Sequence, residues 1–200
     1  MYRRRSRHPA HSAALALIAA GLLGCQPAPP PADEVSEPPP RDLLADLATQ
    51  TDQAEEKILG LARAIPEEDY MWRPASGVRS VAEVLIHIAA DNYFLPLLMG
   101  VEVPAPTGIT LDFATVQAYQ DRDIPKEQIV AELEESFRFL DGAMAETRGD
   151  LNRPFEFGGT EFEVGSMWVM AITHLHEHLG QMIAYARSND VTPPWSMPAG

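Results

Sequence analysis

Three of the six histidines fall in one run, Gly165 to Ser188, which reads GSMWVMAITHLHEHLGQMIAYARS. Its apolar residues Met167, Trp168, Ala171, Ile172, Leu175, Leu179, Met182, Ile183 and Ala186 recur at three- and four-residue spacing, which predicts a helix packed on a core. On such a helix His174 and His178 stand one turn apart and about 40° round from each other, a bidentate grip for a divalent cation. His176 lies about 200° from His174 and reads as a solvated or packing side chain. Gln181 returns to the His174 face, where it either fixes a histidine tautomer, bonds a substrate or packs on a neighbouring helix. Histidine pairs at this spacing are common on helices, so a metal site needs a third ligand.

Two protease signatures compete for the same residues. His174, Glu177 and His178 fit H-x-x-E-H with the glutamate as base, but that pattern needs a carboxylate ligand well downstream, and only Asp190 follows. The H-E-x-x-H order is broken by Leu175. Glu177 is left as a candidate general base, against the plainer reading of an exposed acid on a helix face. His87 sits among Val84, Leu85, Ile86, Ile88 and Ala89, so its ring nitrogens need partners. Taken alone, it is either a core histidine bonded to a carbonyl or a ligand. Asp91, one turn on, orients His87, binds metal or is solvated.

The elements that must position these groups are helical. Leu43, Leu44, Leu47, Ala54, Ile58, Leu61 and Ile65 form a stripe over a first helix, Asp42 to Ala64, which Pro66 ends. Ser80 and Glu83 have capping-box spacing, so a second helix starts at Ser80 and runs to about Met99, with a bend at Pro96. The connection Gly100 to Arg122 is long enough to roof a cleft and holds a short helical piece, Phe113 to Tyr119. Pro125 opens a third long helix with Ile129, Leu133, Phe137, Leu140 and Met144 inward; Glu127, Glu132, Glu134 and Glu135 read as its wet face. Phe155 to Glu163 alternates apolar and acidic residues about Gly158-Gly159, a short β-hairpin. The last helix then opens at Gly165 or Ser166. The predicted fold is all-α, a four-helix bundle with a hairpin before its last helix.

The start of the chain reads as a processing segment. Arg3, Arg4, Arg5 and Arg7 precede an apolar run from Ala13 to Leu23, too short to span a bilayer, and Leu22-Leu23-Gly24-Cys25 resembles a bacterial lipobox. Residues 1–25 are therefore expected to be a lipoprotein signal with Cys25 acylated, which places the protein in the cell envelope, anchored to a membrane through its lipid and facing the periplasm. Cys25 is the only cysteine, so no internal disulfide can form. Residues 26–41 carry seven prolines and read as an extended tether of at most about 50 Å. The domain then covers 42–188, with a tail over 189–200. The chain has 15 basic against 29 acidic side chains, and losing residues 1–24 removes four arginines and no acid. That balance argues against nucleic acid or anionic headgroups as partners.

These residues together resemble the DinB/YfiT-like family of four-helix metalloenzymes. The resemblance is carried by Trp72-Arg73-Pro74, Ser80-Val81, Leu85-Ile86-His87-Ile88 and His174-x-x-x-His178-x-Gly180-Gln181, and spans residues 42 to 187. It implies an up-up-down-down bundle, often a homodimer, with a divalent ion held by His87, His174 and His178, and hydrolysis or thiol transfer on a small molecule. Three neutral imidazoles leave a coordination position open, the arrangement in which a bound water ionises near neutral pH. Zinc is the first expectation, with nickel, iron, manganese and cobalt compatible with the same donors. The substrate is not specified by these residues. The alternative is a lipoprotein that binds a metal or ligand, or scaffolds a partner, without catalysis.

Overall fold

The computed structural model describes residues 42–196; the expected signal, Cys25 and the tether lie outside them. Four long helices form the body: α1 (Leu43–Ala64), α2 (Val81–Leu98), α4 (Lys126–Glu146) and α5 (Val164–Ser188), with a short α3 (Phe113–Gln120) between α2 and α4. α1 packs on α4 and α5, and α2 packs on α4 and α5. The first two long helices thus lie across the bundle from each other, as do the last two, which is the neighbour relation of an up-up-down-down arrangement. β1 (Pro154–Phe157) and β2 (Thr160–Glu163) pair antiparallel through Gly158 and Gly159, whose φ values of 60° and 79° are those a tight hairpin turn requires.

Local chemistry sets the helix ends. Asp42 caps α1 by accepting from the Leu44 and Ala45 N–H groups. Ser80 and Glu83 make the full reciprocal box at the start of α2, with Ser80 N–H donating to Glu83 Oε2 at 2.7 Å and Glu83 N–H to Ser80 Oγ at 3.3 Å. The last helix begins at Val164, one or two residues before the expected start, because the strand residue Glu163 runs straight into its cap.

The core is continuous. α2 is apolar nearly all round, with a mean hydropathy of 1.3, and most of it is buried, which marks the central helix of a bundle. Trp168 is fully buried and donates its indole N–H to Thr147 Oγ1 at 2.8 Å, while Asn92 on α2 donates to Ser136 Oγ on α4 at 3.0 Å. These buried polar atoms are all partnered, as the low dielectric demands.

One expectation is corrected by the packing. Glu132 is not part of a wet face: Arg122 folds over it with bonds of 3.1 and 2.5 Å, and Tyr119 donates to it at 2.9 Å. In the tail, Val191 packs against the core and Pro194 lies 3.7 Å from where a Cβ on Gly60 would stand.

Candidate metal centre

The α2 and α5 faces bring His87, His174 and His178 together. His174 Nε2 lies 3.3 Å from His87 Nε2 and 3.0 Å from His178 Nε2. The three rings meet edge to face, with centroids 4.4 to 5.1 Å apart. Bonds of about 2.0–2.1 Å in tetrahedral geometry put ligand nitrogens about 3.3 Å apart. The two separations match that spacing, so the three rings form a candidate site for one ion.

Outer hydrogen bonds decide which atoms face inward. Tyr185 donates its hydroxyl to the Arg79 carbonyl at 3.0 Å, so its oxygen accepts the Gln181 amide N–H at 2.9 Å. That leaves Gln181 Oε1 facing His178 Nδ1 at 2.8 Å, and only a protonated Nδ1 can bond to it. His178 Nε2 is therefore a bare lone pair. Gln120, at the end of α3, presents Oε1 to His87 Nδ1 at 3.2 Å, a contact in which a proton on Nδ1 would leave Nε2 bare as well. Bare nitrogens aimed at one point repel unless a cation lies between them, so the donor set fits a divalent ion.

Electrostatics keeps the rings neutral. Burial, the Arg79 charge and the two neighbouring imidazoles push His87 down to about 3, against a smaller upward pull from Gln120. Burial, His178 and Arg79 lower His174 to about 4, and burial with Arg79 lowers His178 against the opposing bond from Gln181. Neutral imidazole is the metal-binding form.

Asp91 lies at the edge of the cluster, with Oδ2 3.2 Å from His174 Nε2 and 3.7 Å from His87 Nε2. Burial raises its carboxyl to about 7, with Arg79 pulling the other way. It faces the inner nitrogens and does not bond to an outer Nδ1, so of the three expected roles the geometry agrees better with a metal ligand than with orienting His87 from outside.

The remaining sequence candidates fall elsewhere. Gln181 orients His178, the i+3 neighbour, and not His174. His176 is exposed and its Nδ1 lies 2.9 Å from the Ile172 carbonyl, outside the cluster. Glu177 is exposed on the same outer face and touches none of the three inward nitrogens at hydrogen-bond range. Two contributors were not anticipated. Tyr185 is four residues after Gln181 on the same face, a spacing that was readable; Gln120 comes from a loop helix, and no sequence signal ties it to His87.

The resembling motif Trp72-Arg73-Pro74 acts through the loop. Arg73 bonds Glu83 at 2.9 Å and the Val78 carbonyl at 3.1 Å, and Trp72 meets the Tyr185 ring edge to face at 5.2 Å. These contacts hold the segment that supplies the Arg79 carbonyl.

The DinB superfamily model matches residues 50–182, which include all three histidines. The chain belongs to the DinB superfamily. Solved structures share its fold: a DinB-like protein from Bacillus cereus is 17% identical with a TM-score of 0.62, covering 75% of this chain and 95% of that one. A DinB family member from Exiguobacterium sibiricum is 24% identical, with a TM-score of 0.57 and coverage of 76% and 96%. A mycothiol-dependent maleylpyruvate isomerase is 15% identical, with a TM-score of 0.56, covering 70% of this chain and 60% of that protein. No curated protein matches the sequence.

Proposed function

We propose that this DinB superfamily member is a metal-dependent enzyme, anchored in the cell envelope, that uses its three-histidine site for hydrolysis or thiol transfer on a small molecule. The observation that carries the reading is the convergence of the Nε2 atoms of His87, His174 and His178, with Nδ1 of His87 and of His178 each facing a glutamine oxygen on the outer side. Zinc suits three nitrogen donors with a position left open. When bound, such an ion supplies a Lewis acid that ionises water or a thiol near neutral pH.

The chain's own residues then divide the work. His87, His174 and His178 hold the ion and remain neutral. Asp91, whose Oδ2 faces the inner nitrogens, takes or returns a proton on the side of the reacting group. Gln120 and the Gln181-Tyr185 pair stop the rings from turning. Thiol transfer gains support from the isomerase of the same fold, whose name states its dependence on mycothiol. Envelope anchoring rests on the Arg-rich start, the apolar run and Cys25.

Elemental analysis of purified protein tests the metal, and a panel of esters, amides and thiol acceptors tests the chemistry. The expected result is one divalent ion per chain and a turnover that falls with metal removal and in Asp91→Asn. One tightly held ion with no turnover, and no effect of Asp91→Asn on any readout, would favour a binding protein over an enzyme.

A further inference from the structure

A cleft of about 640 Å³ lies one side chain away from the triad, lined by Gln120 and by none of the three histidines. The first turns of α2, with Ala82, Glu83 and Ile86, form one wall, and Gln117, Gln120 and Arg122 stand opposite. Gln120 ties the cleft to the triad, because the side chain that lines it also bonds His87 Nδ1 at 3.2 Å.

The three cations that line this cleft are not equivalent. Arg122 is consumed by Glu132 and by the Tyr119 carbonyl, the latter at 2.8 Å. Lys126 donates to the Arg63 and Ile65 carbonyls at the end of α1, at 3.1 and 2.6 Å. Arg79 also lines the cleft, yet its guanidinium has no hydrogen bond or ion pair among the described residues. Its backbone, by contrast, is pinned: the Arg79 carbonyl receives the Tyr185 hydroxyl in the chain of bonds that ends at His178.

We infer that Arg79 anchors the anionic end of a small ligand whose other end reaches the triad. A guanidinium fork matches a carboxylate or a phosphate in two-pronged fashion, and this one is free to do so. Glu67, Asp121 and Asp123 on the same walls oppose further negative charge. The ligand therefore carries a single anionic group, which excludes polyphosphates and nucleic acid strands. The inference rests on the proposed metal site for the ligand's far end and is independent of it for the anchor.

Two hydroxamates test the bridge on cobalt-loaded full-length protein. Acetohydroxamate and succinic monohydroxamate share a metal-binding head, and the second adds a carboxylate. The tail is expected to tighten binding about 10-fold in the wild type, on the scale of one charge-assisted bond partly exposed to water. In Arg79→Gln the tail's gain should vanish, so that the two hydroxamates, compared on the same cobalt-loaded variant, bind equally. Equal affinity of the two compounds in the wild type, or a gain that survives Arg79→Gln, overturns the inference. Titration of metal-free protein with inorganic phosphate and with succinate reads the anchor without any metal. Binding that weakens in Arg79→Gln supports it, with the tighter anion naming the group; binding unaffected by the substitution sinks it. Failure to load cobalt would sink the three-histidine reading instead, and leaves this second measurement intact.

Discussion

Two groups of metal-type side chains lie close together in this domain: His87, His174 and His178 between α2 and α5, and Asp52, Glu55 and Asp141 between α1 and α4. Each group offers three ligand atoms within 4.8 Å of one another. The resemblance ends there. Two of the three imidazoles are held by outward hydrogen bonds that aim their lone pairs inward, and all three are part-buried. Asp52 and Asp141 are exposed, and none of the three carboxylates accepts a hydrogen bond from a described residue. Convergence alone costs little on a surface with 29 acids. Fixing the orientation of a donor takes a further hydrogen-bonding side chain, Gln181 for His178 and Gln120 for His87, and that marks the histidine group.

The largest effect should come from deleting one ligand in each group. His178→Ala is expected to lose stoichiometric metal, a loss of more than about 100-fold in affinity, beyond the range for an outer partner alone. Asp141→Asn should keep the wild-type metal-to-protein ratio in the same elemental analysis. Metal lost from Asp141→Asn and kept in His178→Ala would reverse the assignment.

The bonds that orient His178 come next. Tyr185→Phe keeps the ring that packs on Trp72 but removes the hydroxyl that fixes Gln181. With the amide free to turn, His178 can carry its proton on Nε2, where it competes with the metal. Affinity should fall about 10-fold, at the lower end for an outer partner, while stability changes by about 1 kcal/mol. Competition with a chelating dye reads the first, and imidazole ¹⁵N shifts of the metal-free protein read the tautomer. An unchanged tautomer and affinity would reduce Tyr185 to a packing residue.

Within the histidine site, the imidazoles and Asp91 respond to acid with opposite signs. The imidazoles have folded pKa values below the ordinary 6.5, down to about 3 for His87 and about 4 for His174. Below pH ~6.5 the unfolded chain takes up protons that the folded one refuses, so stability contributed by neutral burial is lost as pH falls toward 4. Asp91 acts the other way: its folded value near 7 means stability is lost as pH rises from about 4 through 7. Three histidines outweigh one aspartate, so metal-free protein should lose thermal stability between pH 6.5 and 4.5. His87→Asn should flatten that slope, and a slope unchanged by the substitution would contradict the burial of a neutral ring.

Much of this was legible beforehand, for a physical reason. The stripes that define α1, α4 and α5 are periodic, the box at Ser80 and Glu83 is local, and the His174-His178 pair is set by helix geometry alone. His87 needed the fold, or a family resemblance, because nothing in the α2 sequence says which helix it faces. Gln120 was out of reach: it bonds a residue 33 positions away through a short helix laid over α2. Glu132 was misassigned for a similar reason, since its helix position is outward but the loop residue Arg122 folds back over it. Long-range contacts made by loops leave no period in the sequence.

The smallest expected effect sharpens the contrast from the acidic side. Burial, then Asp141 and Asp52, raise Glu55 above the usual carboxylate range; burial and Asp52 do the same for Asp141. A raised carboxyl pKa means that ionisation is resisted in the folded state, so this group costs stability at neutral pH and costs nothing once protonated. Asp141→Asn should therefore stabilise the protein at pH 7, by no more than about 0.5 kcal/mol given its exposure, and the gain should fade as pH falls below about 4. Thermal melts at both pH values, with and without added calcium, decide the matter. A cation-binding group would behave differently, since calcium would raise the melting temperature of the wild type and Asp141→Asn would forfeit that rise.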